Sequence, residues 1–222
     1  MKLFIDSANL NDIELSLKRG LVKGVTTNPS ILAKEPKGDF ILHMKKIVGL
    51  LREYNTLVPL SIEVFSTKKE EMVRQAETFL KELNYEKLNI KIPIGWDELE
   101  VIHSLRRRGI EVNCTCCMSY NQAMMAANAG ANFVSLFYGR IRDVGYNAYQ
   151  VVEETAKTLK TAGSPSEIIV GSIRHIHDIN DAMKAGAHIV TVPPQFFPQM
   201  VKHPKTDEAV KQFVTDFENW MK

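Results

Sequence analysis

The stretch Leu88-Asn89-Ile90-Lys91-Ile92-Pro93 has the length and the β-branched content of a β-strand. Its proline cannot donate a hydrogen bond to a neighbouring strand, so the ladder should stop at Pro93. Side chains alternate along a strand, which places Asn89, Lys91 and Pro93 on one face and the two isoleucines on the other. The pattern predicts a strand that carries a lysine among apolar neighbours.

Lys91 is the residue of this strand whose chemistry is most informative. Burial makes a charged ammonium group costly and lowers the pKa of a lysine, and the neutral amine can attack a carbonyl to form a Schiff base. A lysine near the end of a strand can also extend its charged group to water. For Lys91 alone, a lysine that extends to water is the favoured interpretation. Whether it is instead a reactive amine depends on the residues predicted to surround it.

Seven further runs of this kind alternate with helical patterns along the chain. The predicted strands are Leu3–Asp6, Gly24–Asn28, Leu60–Phe65, Leu88–Pro93, Glu111–Cys117, Phe133–Phe137, Glu167–Ser172 and His188–Pro193. Strands that alternate with helices predict parallel βαβ units. Eight of them favour an α/β fold of the (β/α)8 TIM-barrel type over an open sheet. No glycine-rich phosphate loop follows the first strand, which disfavours a dinucleotide-binding fold.

Local signals indicate where several helices begin and end. Three pairs have the spacing of a capping box, namely Asn11 with Glu14, Thr67 with Glu70, and Ser119 with Gln122. The helices predicted after them are Asn11–Lys18, Glu71–Leu83 and Ala123–Ala129. Glycines that follow helical stretches should form left-handed C-caps, and these are Gly20, Gly109, Gly130, Gly163 and Gly186. Thr206–Met221 predicts an extra amphipathic helix after the barrel closes.

Composition restricts the class of protein. A chain of 222 residues fits one large domain, and no linker or shift in composition suggests a second. A net charge of +2 favours neither a nucleic-acid partner nor an anionic membrane surface. No apolar run approaches the length of a membrane span, and Asp6 comes too early for the apolar region of a signal peptide. We therefore expect a cytoplasmic protein.

The cysteines stand together in Cys114-Thr115-Cys116-Cys117. A disulfide framework would separate them, and a zinc site would require a fourth ligand at recognisable spacing. On a regular strand, Cys114 and Cys116 share one face while Thr115 and Cys117 share the other. We expect small buried side chains in a reducing compartment, with a metal site as the less favoured alternative.

Polar side chains recur at the carboxyl ends of the predicted strands, which form the active-site face of a TIM barrel. Singly, they have structural explanations: Asp6 could cap a helix, and Asn28 could open a turn. Glu63 and Lys91 could likewise form a structural ion pair. Jointly they are hard to explain in this way, because the interior of such a barrel prefers branched apolar side chains. The set therefore predicts an active site, and it comprises Asp6, Thr26, Asn28, Ser61, Glu63, Lys91, Asn113, Thr115, Ser135 and Ser172, followed closely by Arg140 and Arg174.

These residues lie in motifs that carry a resemblance to a known family. The chain resembles transaldolases, specifically the branch of short transaldolases and fructose-6-phosphate aldolases. The matching motifs extend from the first strand to the seventh, and Thr26-Thr27-Asn28-Pro29-Ser30 is quite specific. The others are Phe4-Ile5-Asp6-Ser7-Ala8, Glu63-Val64, Ile90-Lys91-Ile92-Pro93, Asn113-Cys114-Thr115, Val134-Ser135, Gly139-Arg140-Ile141 and Gly171-Ser172-Ile173-Arg174.

The resemblance implies a TIM-barrel enzyme that uses Lys91 as a Schiff-base lysine. Lys91 would attack the C2 carbonyl of a ketose phosphate, and the imine would serve as an electron sink in place of a metal or an organic cofactor. Glu63 would act as general acid and base through a bound water, and Asp6 would take the C4 hydroxyl proton as the C3–C4 bond breaks. The resemblance assigns substrate binding to Thr26, Asn28, Asn113, Thr115, Ser135 and Phe137, and phosphate binding to Arg140, Ser172 and Arg174.

Two positions distinguish the two activities of the branch. In the resemblance, transaldolases have glutamate and phenylalanine where this chain has Glu63 and Phe137, whereas the aldolases have glutamine and tyrosine. Both positions favour a transaldolase of the pentose phosphate pathway, which keeps the dihydroxyacetone unit until an aldose phosphate arrives. A fructose-6-phosphate aldolase, a transaldolase for a sulfo-sugar and a non-catalytic sugar-phosphate binder remain alternatives. Cys117 and Tyr138 depart from the family's usual residues, and could either tune the pocket or repack the core.

The resemblance also implies ring-like homo-oligomers, pentamers or decamers, in which the C-terminal helix packs on a neighbouring subunit. The predicted helix Thr206–Met221 has an apolar stripe that fits this role. The same stripe could instead cover the flank of its own barrel. It consists of Val210, Phe213, Val214, Phe217 and Trp220.

Overall fold

A computed structural model describes residues 2–54 and 56–222 of the chain. Its strands are parallel, each is hydrogen-bonded to the next, and the last pairs with the first, so the sheet closes into a barrel. The predicted TIM barrel is therefore confirmed. The strands are β1 Lys2–Asp6, β2 Val25–Thr26, β3 Leu60–Glu63, β4 Leu88–Pro93, β5 Val112–Cys117, β6 Phe133–Phe137, β7 Glu167–Gly171 and β8 Ile189–Val192.

Helices follow the strands and surround the barrel. They are α1 Leu10–Lys18, α2 Pro29–Leu32, α3 Phe40–Glu53, α4 Lys69–Leu83, α5 Trp96–Arg107, α6 Tyr120–Asn128, α7 Tyr138–Asp143, α8 Ala148–Thr161, α9 Ile176–Lys184, α10 Phe196–Val201 and α11 Pro204–Trp220. Within the described part of the chain, no helix has both the length and the hydropathy needed to cross a membrane.

Two helix starts test the predicted caps directly. Ser119 caps α6 as predicted, since its hydroxyl accepts the N–H of Gln122 at 3.3 Å. The cap predicted at Asn11 is wrong, because Asn9 caps α1 and accepts the N–H of Asp12 at 3.1 Å. A nearby hydroxyl explains the difference: Ser7 Oγ accepts the N–H of Asn9 and supports its extended conformation just before the helix.

Of the remaining predictions for helix ends, the cap at Thr67 fails and the left-handed glycines are found. The cap predicted at Thr67 is wrong, because α4 begins one residue later than a Thr67 cap requires and its N-cap, Lys68, makes no side-chain capping bond. Acidic side chains in the first turn of α4 complement the helix dipole there. The predicted left-handed glycines are confirmed, with φ values of 64°, 75°, 95°, 60° and 92° at Gly20, Gly109, Gly130, Gly163 and Gly186.

Apolar side chains close the barrel at the end where the strands begin. Phe4 and Phe133 make an edge-to-face contact with ring centroids 6.1 Å apart. Since β1 and β6 are not neighbours in the sheet, this contact crosses the barrel interior. Gly24 makes room for it, because a Cβ at that position would lie 2.4 Å from the Phe4 ring. Phe4 and Phe133 pack there with Ile169 and Ile189 in one apolar cluster.

β5 is irregular, and this overturns the predicted arrangement of the cysteines. Its register with β6 shifts between Cys114 and Cys117, and Cys116 has a φ of 61°. Cys114 and Cys117 are both fully buried in the core, with their sulfur atoms 4.0 Å apart, whereas Cys116 faces the barrel mouth. The prediction was wrong because an inserted bulge residue breaks the two-residue alternation of the strand. Cys117 and Tyr138 both lie in the core cluster, and neither lines the mouth.

The helix α11 stands apart from the barrel core. Its apolar stripe is exposed, with Phe213 at 69%, Phe217 at 60% and Trp220 at 78% of full accessibility. The alternative that this stripe covers the flank of its own barrel is therefore wrong.

Candidate active site

A cavity of about 450 Å³ opens at the carboxyl ends of the strands. It lies opposite the Phe4–Phe133 contact, on the face where a TIM barrel carries its chemistry. The structure brings the predicted site residues together around this cavity, with two exceptions: Arg174 lies outside the lining, and Ser61 is buried behind it, in contact with Asn113. Those that line it are Asp6, Thr26, Asn28, Glu63, Lys91, Asn113, Thr115, Ser135, Phe137, Arg140 and Ser172.

Lys91 lies in the wall of this cavity and is almost fully buried. Its Nζ donates to the backbone oxygen of Thr27 at 2.8 Å and lies 3.0 Å from Glu63 Oε2. Glu63 and Lys91 are register partners on β3 and β4, which places the two side chains next to each other. The ion pair considered in the sequence thus exists, but it lines an open cavity rather than a sealed core. Two of the three ammonium protons are engaged, and one remains for a ligand.

Asp6 is held by a chain of hydroxyl groups. Thr26 Oγ1 donates to Asp6 Oδ1 at 2.7 Å and lies 2.6 Å from Thr191 Oγ1. Because a hydroxyl has a single proton, Thr191 donates to Thr26. Burial raises the pKa of Asp6, while the charge of Lys91 and the bond from Thr26 act in the opposite direction. A carboxyl group with a raised pKa is suited to exchanging protons with a substrate.

Asn113 is fixed at the base of the cavity by two neighbours. Its Nδ2 donates to Ser61 Oγ at 3.2 Å, and its Oδ1 accepts from Ser135 Oγ at 2.7 Å. Thr115 is different: among the residues that the structure describes, its buried Oγ1 has no hydrogen-bond partner. A buried hydroxyl in this condition indicates a position for a ligand or a water. At the base of the cavity, the Asn113 amide is therefore held by hydrogen bonds to its neighbours, whereas the Thr115 hydroxyl can bond to a ligand.

Asn28 serves both the backbone and the cavity. Its Oδ1 accepts the N–H of Ile31 at 3.0 Å and caps α2, with Pro29 at the first helical position. The structural role is therefore that of a helix N-cap and not of a turn opener. The cap engages only the carbonyl oxygen of the side chain, which leaves the amide nitrogen for the cavity.

The arginines predicted to bind phosphate differ in their environments. Arg140 lines the cavity, with its guanidinium 5.7 Å from the centroid of the Phe137 ring, and it has no carboxylate partner among residues 2–54 and 56–222. Arg174 lies outside the cavity wall, where Asp143 holds its guanidinium through two contacts of 2.8 and 2.6 Å. Its role in phosphate binding stays a prediction, and it would require Arg174 to leave Asp143.

Ser172 follows β7 at the cavity rim in an unusual conformation. Its φ of 57° lies in the left-handed region, which serine seldom adopts. Strained backbone of this kind tends to occur where a site requires a particular orientation. Ser172 and Arg140 both line the cavity, and the role of Ser172 in phosphate binding stays a prediction.

Seven residues of the cavity wall were not among the predicted site residues, and three of them, Lys34, Cys116 and Thr191, bring a charge, a thiol or a hydroxyl from outside the matching motifs. Thr191 could have been found, because alternation along the eighth strand directs it into the barrel. Lys34 lies beyond α2, where strand periodicity gives no signal. Cys116 reaches the mouth only through the bulge in β5.

Metal-binding side chains are not grouped in the described part of the chain. No three His, Cys, Asp or Glu residues there are placed to hold an ion. The acidic and basic side chains of the cavity are instead two carboxylates and three cations, namely Asp6, Glu63, Lys34, Lys91 and Arg140.

Comparisons with known proteins identify the family of this chain. The model of the transaldolase/fructose-6-phosphate aldolase family matches residues 3–222. A probable transaldolase of Symbiobacterium thermophilum is 40% identical over 98% of this chain and 97% of its own length. The corresponding protein of Desulforudis audaxviator is 42% identical with the same coverage. That of Alkaliphilus metalliredigens is 38% identical over the whole of both chains. The chain belongs to the transaldolase/fructose-6-phosphate aldolase family and is an enzyme of the transaldolase type.

Proposed function

We propose that the protein is a transaldolase that transfers a dihydroxyacetone unit through a Schiff base on Lys91. The donor is a ketose phosphate, fructose 6-phosphate or sedoheptulose 7-phosphate, and the acceptor is an aldose phosphate, erythrose 4-phosphate or glyceraldehyde 3-phosphate. The observation that carries the proposal is the buried Lys91 amine, which lies 3.0 Å from Glu63 in a cavity that also contains Asp6. A simple sugar-binding protein would gain nothing from that arrangement.

Glu63 prepares Lys91 for attack on the substrate. Transfer of a proton from the ammonium group to Glu63 produces the neutral amine, which adds to the C2 carbonyl. The resulting carbinolamine loses water as Glu63 returns the proton through a bound water molecule. The product is an iminium ion, whose positive charge attracts electrons from the adjacent carbon–carbon bond.

Asp6 then acts as the base that breaks this bond. It takes the proton of the C4 hydroxyl, the C3–C4 electrons move into the iminium to form an enamine, and the aldehyde leaves. The reverse sequence with a new aldehyde completes the transfer: the enamine attacks the aldehyde carbon, and Asp6 returns its proton to the new hydroxyl. Hydrolysis of the imine releases the product and restores Lys91.

The locked polar groups of the cavity orient the dihydroxyacetone unit. Asn113 has a fixed amide, and the free Thr115 hydroxyl can take a hydroxyl of the bound sugar or the catalytic water. Orientation of this kind supplies a large part of the rate in bond-breaking reactions. Arg140 and Ser172 at the rim bind the phosphate, because a free guanidinium suits a phosphate oxyanion.

The choice between transferase and lyase depends on Glu63 and Phe137. Phe137 lies in the cavity lining and carries no hydroxyl that could assist water in releasing the bound intermediate. We therefore place transfer ahead of the aldolase reaction. The test is the release of glyceraldehyde 3-phosphate from fructose 6-phosphate with and without erythrose 4-phosphate. Release that depends on the acceptor supports a transaldolase, whereas release without it makes the protein an aldolase.

Borohydride trapping gives an independent test of the Schiff base. Reduction in the presence of fructose 6-phosphate should add the dihydroxyacetone fragment to Lys91, and Lys91→Met should abolish both trapping and turnover. A Lys91→Met variant that retained turnover would overturn the mechanism. Absence of any trapping with sugar phosphates, together with trapping of a sulfo-sugar, would move the proposal to a sulfonate substrate.

We also propose a homo-oligomer in which α11 packs on a second copy of the chain. Its exposed stripe is larger than the scattered apolar residues usual on a monomer surface. A ring-like pentamer or decamer is the arrangement that the family resemblance suggests. The proposal extends to a cytoplasmic enzyme of the pentose phosphate pathway that uses neither a metal nor an organic cofactor.

A further inference from the structure

Two elements at the rim of the cavity have to be held together for a phosphate to be bound. α7 carries Arg140, and the loop between β7 and α9 carries Ser172. We propose that the ion pair between Arg142 and Asp178 positions these two elements relative to each other, so that both residues act as positioning residues for anion binding. The inference rests on the proposed function, since it concerns the phosphate site of that reaction.

Asp178 is the fixed point of this arrangement. Its carboxylate is fully buried at the start of α9. Its Oδ2 accepts the backbone N–H groups of Arg174 at 2.9 Å and His175 at 3.0 Å. A buried carboxylate is tolerated only when its oxygens are satisfied in this way. These bonds fix the path of the chain directly after Ser172, and they support its left-handed conformation.

Arg142 connects Asp178 to the other element. Its guanidinium donates to Asp178 Oδ1, which the backbone of the loop leaves free. Residues two apart on a helix point in different directions. Arg140 can therefore line the cavity while Arg142 turns towards α9. The ion pair thus connects the helix that bears one proposed phosphate ligand to the loop that bears the other.

The backbone contact between the two elements shows how closely they are set. The N–H of Gly139 donates to the backbone oxygen of Ser172 at 3.0 Å. A Cβ at Gly139 would lie 2.3 Å from that oxygen, so the approach requires glycine. On the outer side, Asp143 at the end of α7 holds Arg174 of the loop. With the ion pair from Arg142 to Asp178 in the first turn of α9, three separate contacts join α7 to the loop and to the helix that follows it.

If Arg142 served only to stabilise the fold, the expected effects of replacing it would differ from those of a positioning role. The side chain of Arg142 is 43% exposed, and ion pairs with an exposed partner usually contribute little to stability. If Arg142 only stabilised the fold, its loss would lower the melting temperature and leave anion binding unchanged at temperatures where the protein is folded. If it positions the phosphate site, anion binding weakens in the folded protein.

The experiment compares Arg142→Met and Arg142→Lys with the wild type and with Arg108→Met. Arg108 is the matched control because it forms an exposed ion pair with Glu77 away from the cavity. Binding of inorganic phosphate to the full chain is measured by calorimetry, and the KM for fructose 6-phosphate is measured alongside. Trapping of unphosphorylated dihydroxyacetone on Lys91 reports the Schiff-base centre without the phosphate site.

We expect Arg142→Met to weaken phosphate binding and raise the KM by roughly tenfold, the effect of misplacing one charge-assisted hydrogen bond. Arg142→Lys should fall between it and the wild type, because it keeps the charge but loses the planar fork. Trapping of dihydroxyacetone should remain at the wild-type level in both. If Arg142→Met fails to fold, Arg142→Lys carries the same test.

Two results would overturn the inference, and they are distinguishable from each other. Phosphate binding that depends on Arg140 but is equal in the wild type, Arg142→Met and Arg108→Met would reject the positioning role and leave the proposed function intact. Absence of phosphate binding in the wild type, with no effect of Arg140→Ala on the KM, would remove the phosphate site itself and the inference with it.

Discussion

Asp6 illustrates a conflict between stability and activity at a single residue. Burial raises the pKa of Asp6 above its usual value, against the opposing effects of Lys91 and Thr26. A carboxyl group with a higher pKa in the folded state stabilises the fold below its unfolded pKa, and this contribution is lost as the pH rises through the folded pKa. Near neutral pH the ionised group is therefore unfavourable for folding, although the proposed reaction requires it.

Asp6→Asn should consequently be more stable and much less active. The amide keeps an oxygen that can accept from Thr26 but carries no charge. We expect the free energy of unfolding near pH 7 to rise, and turnover to fall on the order of a hundredfold or more. Urea unfolding near pH 7 and near pH 3 measures the first effect, which should shrink in acid. A variant no more stable than the wild type near pH 7 would contradict it.

Lys34 provides a second test of Asp6 through the pH dependence of activity. Burial is the main cause of the raised pKa of Asp6, and the charge of Lys34 is among the smaller effects that oppose it. Replacing Lys34 by Met removes this opposition and raises the pKa of Asp6 further. Because Asp6 must be ionised to act as a base, the acidic limb of the kcat/KM profile should move to higher pH. Lys37→Met, an exposed lysine outside the cavity lining, should leave the limb unmoved.

At the scale of elements, the contact between α7 and the loop after β7 depends on Gly139. An added methyl group would meet the Ser172 oxygen at 2.3 Å, and backbone on both sides would have to shift. We expect Gly139→Ala to lower the free energy of unfolding by about 1–3 kcal/mol. Gly49→Ala is the matched control in α3, where nothing lies within 4 Å of the new Cβ. It should raise stability by about 0.5–1 kcal/mol, since alanine favours a helix.

Thermal and denaturant unfolding of the two variants checks the prediction. A loss of stability in Gly139→Ala together with a gain in Gly49→Ala would show that the short distance to the Ser172 oxygen determines the effect at Gly139. The general preference of helices for alanine over glycine would act in the same direction at both positions. Equal behaviour of the two variants would instead mean that α7 can move away from Ser172 without a penalty. The KM for fructose 6-phosphate in Gly139→Ala would then show whether the phosphate site tolerates that movement.

The sequence predicts those parts of the fold that follow a regular pattern, namely the alternation of side chains along the strands and the alternation of strands with helices. Strand alternation found every strand and directed Lys91, Glu63 and Asn113 to one mouth, because parallel neighbours place residues of equal register side by side. A single extra residue in a strand could not be predicted in this way. The bulge that turns Cys116 into the cavity leaves no mark on the local pattern. Asn9 was missed as a cap because its support comes from Ser7, outside the helix pattern.

Contacts between distant segments also explain which features of the site could not be predicted from the sequence. Arg174 follows a strand end as Arg140 does, and the sequence gives no reason to separate them. Only the folded chain brings Asp143 within 2.6 Å of Arg174 and leaves Arg140 beside Phe137. Lys34 is likewise placed by the path of the chain after α2 rather than by periodicity. Partners from distant segments therefore decide which cations serve the cavity.

At the scale of the whole molecule, α11 is the element that the barrel does not explain. The strands close on themselves without it, since β1 pairs with β8 directly. An exposed amphipathic helix with Phe213, Phe217 and Trp220 on its surface would lower its free energy by burying this stripe. A second copy of the chain offers an identical surface and a closed symmetric arrangement. We therefore expect the proposed assembly to depend on α11 and the proposed Schiff-base centre to be independent of it.

Removal of residues 204–222 separates these two properties. The mass in solution, measured by light scattering, should fall from that of an oligomer towards that of a single chain. Trapping of dihydroxyacetone on Lys91 should persist, because none of the cavity lining belongs to α11. Phe213→Asp with Phe217→Asp should reproduce the change in mass through charge in the stripe alone, and Lys211→Ala on the same helix should not. An unchanged mass after truncation would exclude α11 as the interface, and loss of trapping would mean that the barrel requires the helix.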